Sequence, residues 1–260
     1  MKTTSVVLGA VLGAMAIGGG VLITSCSSSE AHAQEASTGQ ACAGLPSFAS
    51  LGDVLKEVVH GDTNSGAGNE MWGVIVNRDG VVCAVAFSGE NRGSQFPGSR
   101  VISAAKANTA NEFSLPGGAT SSGGLYAATQ PGGAVFGLEN GNPVDTAVAY
   151  KGSAADYGTA NDPLVGSKSG GTITFGGGLP LYDASGALIG GVGVSGDSSC
   201  ADHVIAWEMR SAFNLDNLPA GSLPNGDNLT IGAGGHPDCG GTAAAVIAAL
   251  PEEYPLGPNP

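Results

Sequence analysis

Residues 72–87, WGVIVNRDGVVCAVAF, decide the architecture. Trp72 to Asn77 and Val81 to Phe87 are short runs rich in Val and aromatic residues, and Asp79-Gly80 between them suits a tight turn, so the stretch reads as a β-hairpin. Both faces of its strands are apolar, which places them centrally in a sheet covered on both sides. Leu179 to Tyr182, a turn at Asp183-Ala184-Ser185-Gly186, and Ala187 to Ser195 predict a second hairpin. Helices are expected around these. Phe48 to His60 carries apolar residues at 48, 51, 54, 55, 58 and 59, which is helical spacing. Ser99 to Ser114 is rich in Ala and free of Gly and Pro. Cys200 to Phe213 follows Ser198 and Ser199, either of which could cap it, and Ser199 with Asp202 makes an acidic variant of a capping box. Helix, hairpin, helix, hairpin, helix is an α+β order with an antiparallel sheet. Residues 115–175 are rich in Gly, Pro, Ser and Thr and read as a long irregular insertion.

Composition narrows the function. The 260 residues include 9 Lys+Arg and 22 Asp+Glu, a net charge of -13, so the phosphate backbone of nucleic acid is excluded as a natural partner. Hydrophobic residues at 42% are too many for a disordered acidic chain. The 45 glycines lack the Gly-X-Y period of collagen.

Residues 1–25 read as an export signal: one Lys, then an uncharged apolar run from Ser5 to Ile23. Ile23-Thr24-Ser25-Cys26 looks like a lipobox, which makes Cys26 the expected site of lipidation and the protein an exported, membrane-anchored lipoprotein. The competing reading is cleavage after Ala33, because Ala31-His32-Ala33 fits the A-x-A rule. Residues 26–46 read as a tether, 47–250 as the domain, and 251–260, with four prolines, as a flexible tail. Four cysteines then remain. In an oxidising compartment they suggest two disulfides, with Cys42–Cys83 and Cys200–Cys239 the favoured pairing and buried free thiols the alternative.

Several motifs bear on chemistry. Gly191-Val192-Gly193-Val194-Ser195-Gly196 matches G-x-G-x-x-G, but Phe213 to Pro219 is too short and polar to be the second buried strand of a dinucleotide fold. His203 and His236 each lie three residues from a cysteine of the Cys200–Cys239 pair. They are the candidate metal ligands, for haem iron or another metal; the competing reading is a surface His beside a disulfide. His60 ends a helix and reads as structural. Neither G-x-S-x-G nor H-E-x-x-H occurs.

Asn77 to Phe87 (NRDGVVCAVAF), Arg100 to Phe113 (RVISAAKANTANEF) and Gly177 to Gly196 (GGLPLYDASGALIGGVGVSG) together resemble the GlcG/HbpS family of haem-binding, or haem-degrading-like, domains. The resemblance implies a profilin-like antiparallel sheet flanked by helices, a homo-oligomer, and haem as cofactor in some members. It matches Lys106 and Thr109 on the second helix, and Gly177, Gly178 and Pro180 in the following turn. A threonine resembling Thr109 is implied to contact haem. The expected pocket lies between the Ser99–Ser114 helix and the sheet, with Lys106 or Arg100 neutralising a carboxylate. The expected function is binding, storage or sensing of haem or a related tetrapyrrole. The alternatives are an enzyme on the same scaffold acting on a small hydroxy acid, and a non-catalytic interaction module.

Overall fold

A computed structural model describes residues 39–61, 65–218 and 227–257. The expected export signal, the expected lipidation site Cys26 and the expected tether as far as residue 38 lie outside the described residues. Helix α1 (Phe48–Val59) starts where Ser47 Oγ accepts the N–H of Ser50, and it buries Leu51, Leu55 and Val59 on one stripe. Strands β1 (Trp72–Asn77) and β2 (Val82–Phe87) form the first hairpin. Helix α2 (Ser99–Glu112) follows, then the insertion, then the second hairpin, β3 (Gly178–Tyr182) and β4 (Leu188–Ser195). Helix α3 (Ser199–Ala212) and helix α4 (Ala243–Glu253) complete the described chain. Ser198, not Ser199, caps α3 through the N–H of Ala201, so no capping box forms; Asp202 instead turns back to the N–H groups of Gly196 and Asp197. No helix among the described residues is long and apolar enough to cross a membrane.

The two hairpins join through β1 and β4 into one antiparallel sheet of order β2-β1-β4-β3, the α+β arrangement expected. Only one strand of each hairpin is therefore central. The β2 edge is covered by the insertion: Val82 N donates to Ser167 O and Gly166 N to Val82 O, both at 2.9 Å. Ile75, Ala84, Leu179, Leu181, Val192 and Val194 face α1, α3 and α4. Trp72, Val74, Val76 and Val85 face α2 and Leu164 of the insertion.

Helix α2 lies directly on the glycines of the second hairpin. A Cβ at Gly178, Gly191 or Gly193 would strike the carbonyl oxygens of Lys106, Ala107 and Ser103 respectively. The glycine-rich motif is therefore a seat for a helix, because removing side chains from one layer lets two backbones touch.

The disulfides pair as Cys42–Cys83 and Cys200–Cys239. The first, with the bond from Asn77 Nδ2 to Ala41 O, pins the end of the tether to the β1–β2 hairpin. From residue 251 the chain stays in contact with the domain at several points as far as 257. Residues 251–253 finish α4, Trp207 Nε1 donates to Tyr254 O, and Gly257 N donates to Asp216 O.

Candidate functional site

The three cofactor-binding residues expected on α2 are used up inside the protein. All of this helix is buried except Ile102 and Glu112, although more than half of its residues are polar. Arg100 makes a bidentate pair with Asp162, with Nε 2.8 Å from Oδ2, and Nη1 donates to Ala149 O. Lys106 donates to Asp202 Oδ2 at 2.6 Å and to Val194 O at 3.2 Å. Thr109 Oγ1 donates to Ala105 O and accepts the N–H of Ile173. Burial of a charge is tolerated when it is paired and hydrogen-bonded, and these groups meet that condition. The slot expected between α2 and the sheet is therefore filled: Arg100 fixes the insertion, Lys106 ties α2 to α3, and Thr109 anchors the chain entering β3. Burial pushes the Asp202 carboxyl up and the Lys106 ammonium pulls it back, the upward push being the larger.

The expected metal pair, His203 and His236, lies elsewhere and is not an open site. His203, fully buried on α3, sits on the far side of the sheet from Trp72. Its Nε2 is 3.2 Å from Asn228 Oδ1, which also accepts the N–H of Leu229, so the ring donates there. Its Nδ1 is buried with no hydrogen-bond partner among the described residues. Burial, then the Arg210 guanidinium, drive the imidazole down to about 3, so it is neutral. His236 is also buried; Nδ1 donates to Pro237 O at 2.9 Å and Nε2 accepts the N–H of Gly176 at 3.3 Å. Burial lowers its pKa too. His236 borders a polar hollow of about 180 Å³ with Thr120, Ser121, Asp227 and Asn228. The Asp227 carboxylate is not free for a ligand there, because it pairs with Arg210 at 2.6 and 2.8 Å.

A larger, more apolar groove of about 540 Å³ opens at the N-terminal end of α2. Pro97, Gly98, Tyr150, Ala154 and Tyr157 form its walls over the buried Trp72, with Arg92 also lining it. Trp72 is fixed by the bond from its Nε1 to Phe96 O and by Phe87, whose ring meets it edge-on at 5.4 Å. Tyr157 is held by its hydroxyl on Lys151 O and by the Arg100 guanidinium, 3.9 Å from the ring centre. Arg100 thus backs the wall instead of reaching into the groove. Tyr150 is about half exposed, and Arg92 is exposed with no ion-pair partner among the described residues. A rigid aromatic cleft with one cation suits a flat apolar molecule bearing a carboxylate. The sequence offered no sign of it, because its walls come from three separate stretches and share no motif.

A family model described as haem degrading protein HbpS-like matches residues 68–210, from just before β1 almost to the end of α3. This chain belongs to the HbpS-like family. The HbpS-like region thus contains the sheet, α2, the insertion and the aromatic groove. Two solved structures are similar to the chain: a PduOC–haem complex (23% identity, covering 66% of this chain and 94% of that one, TM-score 0.45) and Klebsiella pneumoniae protein ORFY (21% identity, 65% and 90%, TM-score 0.44). Comparison with curated proteins gives no significant match.

Proposed function

We propose that this HbpS-like protein binds haem or a related tetrapyrrole in the aromatic groove, as an exported protein held to a membrane by lipid on Cys26. The observation that carries the reading is the groove itself: about 540 Å³, walled by Tyr150 and Tyr157 over the buried Trp72, and supplied with Arg92, a cation with no ion-pair partner among the described residues. That volume is in the range of pockets that bury ligands of this size. Family membership supports the same ligand class. Apolar walls take the ring, Arg92 neutralises a propionate, and Tyr150 offers a phenol to the metal, a ligand type known for haem iron. Bound haem would supply a redox-active iron; the protein supplies binding and exclusion of water.

The test is titration of purified protein with hemin, read in the Soret region. A saturable shift at micromolar hemin is expected, weakened about tenfold by Arg92→Ala and changed in position by Tyr150→Phe. Thr109→Ala is expected to leave the spectrum unchanged. An unsaturable titration, or variants that bind like the parent, would overturn the reading. Globomycin-sensitive processing at Cys26 tests the anchor, and light scattering with and without hemin tests the homo-oligomer.

The polar hollow beside His236 favours a second reading, an enzyme acting on a small hydroxy acid. Hydroxy acids should then raise the melting temperature, and His236→Ala should abolish the rise.

A further inference from the structure

The Cys200–Cys239 disulfide lies against His236, and this trio has no part in the groove. One ring nitrogen of His236 and the two sulfurs lie within 4.8 Å of one another. Cys200 and His236 are buried and Cys239 is exposed. We propose that this trio is a latent site for a zinc-class divalent cation, closed while the disulfide is intact and opened by reduction.

Three features of the geometry support the assignment. First, the donor set is two sulfurs and one imidazole, the combination that zinc-class ions prefer, and three protein ligands leave a fourth position for water. Second, the reach is short. A tetrahedral site needs sulfurs about 3.8 Å apart with the imidazole at a similar distance. The covalent bond holds the sulfurs closer than that, so cutting it and turning the Cys239 side chain supplies the spread. Third, the exposed Cys239 and the neighbouring Ser199 hydroxyl, 3.8 Å from its sulfur, give a reductant and then a hydrated ion a route in. The three ligands belong to rigid or anchored segments. Cys200 sits in the first turn of α3, and the loop bearing His236 is fixed by its bonds to Thr230 O and from Gly232 N.

The chemistry balances. A dithiol donates two electrons to the S–S bond and becomes a cyclic disulfide, leaving Cys200 and Cys239 as thiols. Metal binding then releases two protons as both become thiolates. The imidazole binds in its neutral form and gives up one of its present contacts, with Pro237 O or with the N–H of Gly176.

The test uses the full chain, reduced with a phosphine, which takes the oxygen of water and leaves two thiols. It is titrated with cobalt(II) as a visible probe, with circular dichroism to follow folding. One equivalent should produce a thiolate-to-cobalt charge-transfer band, which zinc displaces and which is absent from the oxidised protein. His236→Ala should weaken binding at least tenfold, Cys200→Ser should abolish the band, and Cys42→Ser/Cys83→Ser should keep it. A reduced, folded chain with no band would overturn the proposal. So would a band that survives Cys200→Ser or ignores His236→Ala, or a reduced chain that unfolds and is not refolded by the metal.

Discussion

Acidification should expose the cost of a histidine that has no way to accept a proton. His203 is fully buried, its Nδ1 lone pair faces no donor among the described residues, and the charged or titratable groups around it, Arg210, His236 and Lys106, all resist a second cation. Its pKa falls from 6.5 to about 3 on folding. The folded state therefore binds fewer protons than the unfolded chain, and the stability contributed is complete above pH 6.5 and is lost as pH falls toward 3. Each pH unit in that window costs about 1.4 kcal/mol. Between pH 6.5, where half of the unfolded-state imidazoles already carry the proton, and pH 4.5 this one side chain should remove about 2 kcal/mol, a sizeable part of a typical domain's total. Urea unfolding of the disulfide-intact protein at several pH values measures the slope. The reference is His203→Gln, whose amide keeps a donor toward Asn228 but cannot titrate. The parent should lose about 2 kcal/mol more than the variant across those two units. Equal slopes for the two proteins would refute the reasoning, because the proton uptake would then lie elsewhere.

Other outcomes follow from the packing. Gly193→Ala puts a methyl group into the α2 backbone and should cost about 3 kcal/mol or more, whereas Gly117→Ala, with open space around it, should stay within about 0.5 kcal/mol; thermal melts of the pair check this. Lys106→Met leaves the buried Asp202 without its cation and should cost about 3–5 kcal/mol, partly recovered in Lys106→Met/Asp202→Asn, as urea midpoints would report. Cys42→Ala/Cys83→Ala removes a crosslink spanning 41 residues, and chain entropy sets the expected loss at about 4 kcal/mol, measured by the same unfolding curves.

The hairpins, the first three helices and the cysteine pairing could be read from the sequence because each signal is local: alternating or helical spacing, a turn dipeptide, an even cysteine count. Helix α2 resisted because its polar residues resemble a solvated or ligand-facing surface. Their partners are far away in the chain, Asp162 being 62 residues from Arg100 and Asp202 96 from Lys106. A cation that will be neutralised internally looks the same in sequence as one that will greet a ligand. Helix α4 was missed because Pro251 and a run of alanines hide its buried stripe of Ala243, Ile247 and Leu250. The groove was invisible for a different reason. It is a void between loops, and Arg92, which lines it, belongs to a Gly- and Ser-rich stretch with no periodic pattern.

Three of the nine basic residues, Arg100, Lys106 and Arg210, are sealed inside, and each takes an aspartate with it, Asp162, Asp202 and Asp227, so the exterior keeps the acidic excess of the whole chain. Any dicarboxylate approaching Arg92 must first cross a repulsive field. Added electrolyte should therefore hasten capture, the reverse of what is seen for proteins that steer anions inward, and the resident molecule, once docked, would be held chiefly by its hydrocarbon frame.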